Sequence, residues 1–200
     1  MAIGAAGGAA VGILVANNIV RLQKGIAVAN EAWAGLSAKG LVLAQEEVRG
    51  LKIAVGKTRP MLSGTVGGVR AEVHIVSDLV HYAHTRVRAE LAHPSDAKVG
   101  VHPSPSGLMG AIRGWLGQDI EIGDPDFDPA FLISGKPESA ALSVLTPTVR
   151  EKISALTATG LAGFTFGDGY AVVMLAGVVT DVVVLEVALD LAVEASRLAP

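Results

Sequence analysis

Two runs in the first half of the chain alternate apolar and polar residues at every step, and this limits the fold more than any other feature. In GGVRAEVHIV, Val69, Ala71, Val73 and Ile75 fall on one side and Arg70, Glu72 and His74 on the other. In HTRVRAELA, Val87, Ala89 and Leu91 alternate with Arg86, Arg88 and Glu90. Successive side chains of a strand point to opposite faces, so a period of two predicts strands with one buried and one wet face. Such strands belong to antiparallel sheets, because parallel ones are buried on both sides. LKIAVGK (51–57) repeats the pattern with Leu51, Ile53 and Val55, and AKVGVH (97–102) reads as a further strand. Turns at Gly67-Gly68 and Pro94-Ser95-Asp96 would join them into a meander.

The second half mixes periods. LMGAIRGWLG presents Leu108, Ile112, Trp115 and Leu116 as one face of a short helix, and AFLISG reads as a strand. Pro137 and Pro147 suit first helical positions, the second after a Thr146 cap, with Val149, Ile153 and Leu156 on one face. GFTFGDGYAVVMLAG predicts a hairpin turning at Gly167-Asp168-Gly169. The last segment is apolar apart from a stripe of Glu186, Asp190, Glu194 and Arg197. Each acid in the middle of a membrane span costs about 2.5–3.5 kcal/mol, so this is a helix packed on the sheet. The fold class is therefore α+β, an antiparallel sheet packed with C-terminal helices.

Residues 2 to 20 carry no charge. As a helix they would cross the roughly 30 Å hydrocarbon layer. Gly4, Gly8 and Gly12 recur every fourth residue, which clears a strip on one helix face for close helix–helix contact. Arg21 and Lys24 follow, an arrangement that places the rest of the chain in the cytoplasm. A buried helix, a Gly-rich unstructured terminus and a cleaved leader are the alternatives, although no basic region precedes the apolar run. The expected organisation is an apolar Gly/Ala-rich helix as membrane anchor (1–22), a helical connector (23–40) and an α+β domain (41–200). In the connector Ile26, Ala29, Trp33 and Leu36 share a face, and Gly40 ends it.

The chemistry is sparse. There is no cysteine, so disulfides, thiolate metal sites and cysteine nucleophiles are absent. A net charge of -3 offers no polycation for nucleic acid. GDPDFDPAF (123–131) spaces Asp124, Asp126 and Asp128 as a calcium loop does. A calcium loop also needs Gly at its sixth position and Glu at its twelfth, where this chain has Pro129 and Gly135. A rigid turn fits better, with carboxylates accepting backbone N–H bonds and Phe127 and Phe131 anchoring it. His84, Arg86 and Arg88 share a strand face and form a small basic patch for an anion, unless Glu72 and Glu90 neutralise it. No phosphate loop, nucleophile elbow or dinucleotide turn occurs. No catalytic residue, metal or cofactor is expected.

The run from Trp115 to Leu156 resembles a family of uncharacterised bacterial membrane-anchored proteins. The matching positions are Gly123, Asp124, Phe127, Asp128, Phe131 and Gly135, then Leu145, Thr146, Pro147 and Arg150. Trp33, Gly40 and Leu41 match its linker helix. The resemblance implies an architecture and an inner-membrane location, and no activity. The leading expectation is a non-enzymatic, membrane-tethered accessory or scaffold domain acting through protein partners or self-association. The alternatives are a ligand- or lipid-headgroup-binding module using His84, Arg86 and Arg88, and a hydrolase with dispersed catalytic residues.

Overall fold

A computed structural model describes residues 20, 22–47, 58–77, 83–104 and 120–198. Within them lies one eight-stranded antiparallel sheet. The strands are β1 (Leu41–Glu47), β2 (Thr58–Val66), β3 (Val69–Ser77), β4 (Ala83–Glu90), β5 (Lys98–Pro103), β6 (Phe131–Lys136), β7 (Leu161–Gly167) and β8 (Tyr170–Ala176). Their order across the sheet is β1-β2-β3-β4-β8-β7-β5-β6. The helices are α1 (22–33), which runs into a 3-10 turn at Ala34–Lys39, then α2 (Glu138–Val144), α3 (Pro147–Thr157) and α4 (Val182–Ser196). The class is α+β, with the helices against one face of the sheet.

The alternating residues sort as their period dictates. Val73, Val87 and Ala89 are buried to 0% exposure, beneath α4. That helix begins at Asp181, whose carboxylate accepts from Val183 N and Val184 N. Leu185, Leu189 and Ala192 face the core. Its polar stripe is tied down from outside: Glu186 pairs with Lys39, Glu194 with Lys152, and Arg197 Nη2 donates to Gly67 O at 2.6 Å. Thr146 caps α3 through Val149 N, and Val149, Ile153 and Leu156 are buried. Asp168 (φ 50°) and Gly169 (φ 83°) turn the β7–β8 hairpin in the left-handed region, as a two-residue turn requires.

Several expectations shift. The first four strands form a meander, but β5 does not continue it: β8 pairs with β4, and β5 lies between β7 and β6. Alternation records which face a residue takes and carries no information about the neighbouring strand. The strand expected at 51–57 and the helix expected at 108–116 lie outside the described residues. β1 and β2, which pair with each other, went unread. The segment expected as a connector belongs to the core: Ala29, Trp33 and Leu36 are fully buried, and Trp33 Nε1 donates to Val179 O at 2.9 Å. Gly40 ends it in the left-handed conformation (φ 87°). Nearly all of the segment expected to anchor the chain, with Gly4, Gly8 and Gly12, lies outside the described residues. Among those described, no helix is long and apolar enough to cross a membrane.

Candidate functional site

The three-aspartate run is a turn built on two carboxylates. Asp128 accepts backbone bonds from Ile122 (3.1 Å), Gly123 (2.9 Å) and Asp124 (3.1 Å). Asp124 Oδ1 accepts from the amides of Asp126 and Phe127, both at 3.1 Å. Gly123 (φ 80°) supplies the left-handed residue that starts the bend. Phe127 and Phe131 are buried and stacked, their centroids 4.3 Å apart. Arg150, from the start of α3, brings its Nε to 3.2 Å from Asp124 Oδ2, which ties the turn to that helix. Both carboxylates thus accept backbone amides, and Asp124 Oδ2 also faces Arg150. Asp126 is exposed, with no side-chain partner among the described residues. No group of three or more acids and histidines that could hold a metal occurs among the described residues.

The face of the sheet opposite these helices carries most of the remaining chemistry. Directly paired residues share a face, and the register runs Glu72, Arg88, Val172, Thr165, Gly100 and Ser134 in one line from β3 to β6. At the β3–β4 end, Arg88 Nε donates to Glu72 Oε2 at 2.7 Å, and His74 Nε2 lies 2.8 Å from the same oxygen. The Arg88 guanidinium also stands 4.7 Å over the Tyr170 ring. Burial pushes the Glu72 carboxyl up, but the hydrogen bonds with His74 and Arg88 and their charges outweigh it, so its pKa lies below the ordinary carboxylate value.

His84, Arg86 and Arg88 do share this face, yet they are not equivalent. Arg88 is neutralised by Glu72. Arg86 sits between His74 and Met174 in register, and its Nε is buried without a hydrogen-bond partner among the described residues. His74, expected to be wet, is only 5% exposed. It has Met61 and Arg86 directly opposite it, so long side chains flank it on both strands.

At the other end of the same face, β7, β5 and β6 carry an open groove of about 710 Å³. Gly100, Thr165, Ser134 and His102 line it, with Ser134 Oγ and His102 Nε2 nearest to Gly100, and Lys98 and Lys136 line it too, opposite each other. Sequence reasoning missed this groove. Its local signals are glycines inside strands, Gly100 and Gly135 in its lining and Gly163 beneath His102, which mark close approach. A Cβ at Gly100 would lie 2.8 Å from Ser134 Oγ, and one at Gly163 would lie 2.8 Å from His102 Nδ1.

The chain is thus an α+β protein with one helix-covered sheet face and one polar, grooved face. No protein-family model matches it, and no curated protein matches it in sequence. Among solved structures it is similar to the crystal structure of the mycobacterial trehalose monomycolate transport factor A, TtfA. The TM-score is 0.50 over 90% of this chain and 98% of that one, at 11% sequence identity. At that identity the likeness is one of fold.

Proposed function

We propose that the protein is a non-enzymatic accessory domain, tethered to a bacterial inner membrane through its N-terminal segment, that works by protein contacts on the cytoplasmic side. The observation that carries this reading is how its acids are used. Asp124, Asp128 and Glu72 are committed to backbone amides or ion pairs, while the grooved sheet face stands opposite the helices. Such a domain holds its shape and presents a surface. The fold likeness to a protein described as a transport factor supports an accessory role. The uncharged run before Arg21 and Lys24 supports the tether, and Gly4, Gly8 and Gly12 would pair that segment with another helix.

The test is fractionation of the full-length protein beside a form lacking residues 1–24, with an alkaline wash of the membrane pellet. The full-length form should stay in the washed membrane and the shortened form should leave it. Crosslinking in the membrane should then capture a partner protein or a second copy. If both forms are soluble, the tether is wrong. A second reading, an anionic-ligand module on the His84, Arg86 and Arg88 face, is favoured by Arg86, whose Nε has no hydrogen-bond partner among the described residues.

A further inference from the structure

We propose that the groove over β7, β5 and β6 binds a phosphomonoester, with the phosphate held between Lys98 and Lys136. Register places these two lysines directly opposite each other on β5 and β6. Like charges at opposed positions of a sheet repel and destabilise it, and an anion between them removes that cost. Asp168 serves one lysine only, lying 2.7 Å from Lys98 Nζ. Both members of that pair are well exposed, 61% and 79%, so water competes for the contact and a ligand can replace it. Lys136 has no anionic partner among the described residues. Two ammonium groups on one side of a site suit a dianion better than a single carboxylate, and lysine is a point-charge ligand for phosphate.

The rest of the groove indicates what carries the phosphate. With no side chain at Gly100 or Gly163, Ser134 and His102 stand over these positions. Ser134 Oγ is 3.5 Å from Gly100 O and His102 Nδ1 is 3.4 Å from Ala162 O, both too long to commit those groups firmly. His102 Nε2 lies over Gly100, 3.9 Å from where its Cβ would stand, and Thr165 is exposed beside it. Hydrogen-bonding groups therefore continue from the lysine pair along the groove. The groove is of small-molecule size, roughly 300–1,000 Å³ being usual, so a phosphate alone would leave most of it empty. A phosphate on a small hydroxylated carrier fits, whether free in solution or as a lipid headgroup.

The test uses the full chain, ¹⁵N-labelled, titrated with glycerol 3-phosphate and, separately, with phosphatidic acid vesicles against phosphatidylcholine vesicles. Glycerol 3-phosphate should shift the amides of Gly100, Ser134 and Gly135 saturably. Lys136→Gln should weaken binding about tenfold, the size of one charge-assisted hydrogen bond. Lys98→Gln with Lys136→Gln should remove it, and Lys39→Gln on the helix-covered side should leave it unchanged. Vesicle binding with the same Lys136 dependence identifies a lipid headgroup, and a response to the soluble probe alone identifies a free phosphomonoester. No saturable response to either at millimolar concentration overturns the proposal. So does a response that ignores both lysine substitutions. So does vesicle binding lost in Arg86→Ala/Arg88→Ala but kept in Lys136→Gln, which belongs to the basic strand face.

Discussion

Removing the Asp128 carboxylate should cost about 3 kcal/mol of folding stability. Its oxygens accept from three backbone amides, those of Ile122, Gly123 and Asp124. Each bond to a charged acceptor contributes roughly 1.5–3 kcal/mol when the donor is otherwise left dry. Gly123 is at the surface and the other two are partly covered. Water therefore recovers part of the loss, and about 1 kcal/mol per bond is the appropriate value. In a domain of this size a kcal/mol moves Tm by about 2–4 °C, so Asp128→Ala should melt about 6–12 °C lower than the parent. Asp128→Asn keeps one acceptor oxygen and should lose roughly half as much. Asp126→Ala should change stability by less than about 0.5 kcal/mol, as an exposed side chain without a partner among the described residues does.

The assay is urea denaturation and thermal melting of the parent and the three variants, each with and without millimolar calcium. A turn and a metal loop make opposite predictions here. In a metal loop the aspartates act together, so Asp126→Ala would cost as much as Asp128→Ala and calcium would raise the parent Tm. Either result refutes the turn. A loss below about 0.5 kcal/mol for Asp128→Ala would refute the magnitude, because the three amides would then be equally satisfied by water.

Two further outcomes follow from the sheet. The folded pKa of Glu72 lies below its ordinary value of 4.5. The unfolded chain therefore binds the proton first, and the stabilisation from this ion cluster is complete above about 4.5 and fades as pH falls through the lower folded value. Glu72→Gln should flatten the acid limb of stability against pH, and parallel profiles for parent and variant would contradict the linkage. Gly64→Ala would drive its Cβ into the Gly40 carbonyl oxygen and to 3.1 Å from Leu41 Cα, all backbone that cannot rotate away. A loss of about 3 kcal/mol in urea is expected, while Gly35→Ala, with nothing within 4 Å of its Cβ, should be tolerated. Equal midpoints for the two glycine variants would show that β1 can move off β2.

The elements legible in the sequence are those with a local cause. Val73 and Val87 are buried because each belongs to an unbroken alternation, and one period-two run names its own inward face. The cap at Thr146 and the turn at Asp168-Gly169 involve atoms two or three residues apart. β2 was not legible, since Pro60, Ser63 and Gly64 interrupt its pattern and argue against a strand. It forms because β1 and β3 pair with it on both sides. The helical period places Trp33 on one face with Ile26, Ala29 and Leu36. That its indole reaches the carbonyl of Val179, 146 positions away, required the closed fold.

By itself the sequence determined the class of the protein, the inward face of its alternating strands and the bland nature of its three-aspartate turn. These follow from short-range sterics and from the hydrophobic period, which act within a few residues. Tertiary structure alone decided the strand order, with β8 inserted beside β4 and β5 carried to the far side. That order places Lys98 against Lys136 and Gly163 beneath His102, and it brings Arg150 to Asp124. Each of these meetings joins residues 26 to 61 positions apart. Which strands pair is a competition among long-range contacts that share the same apolar alternation, so no single run of residues could announce the groove they make.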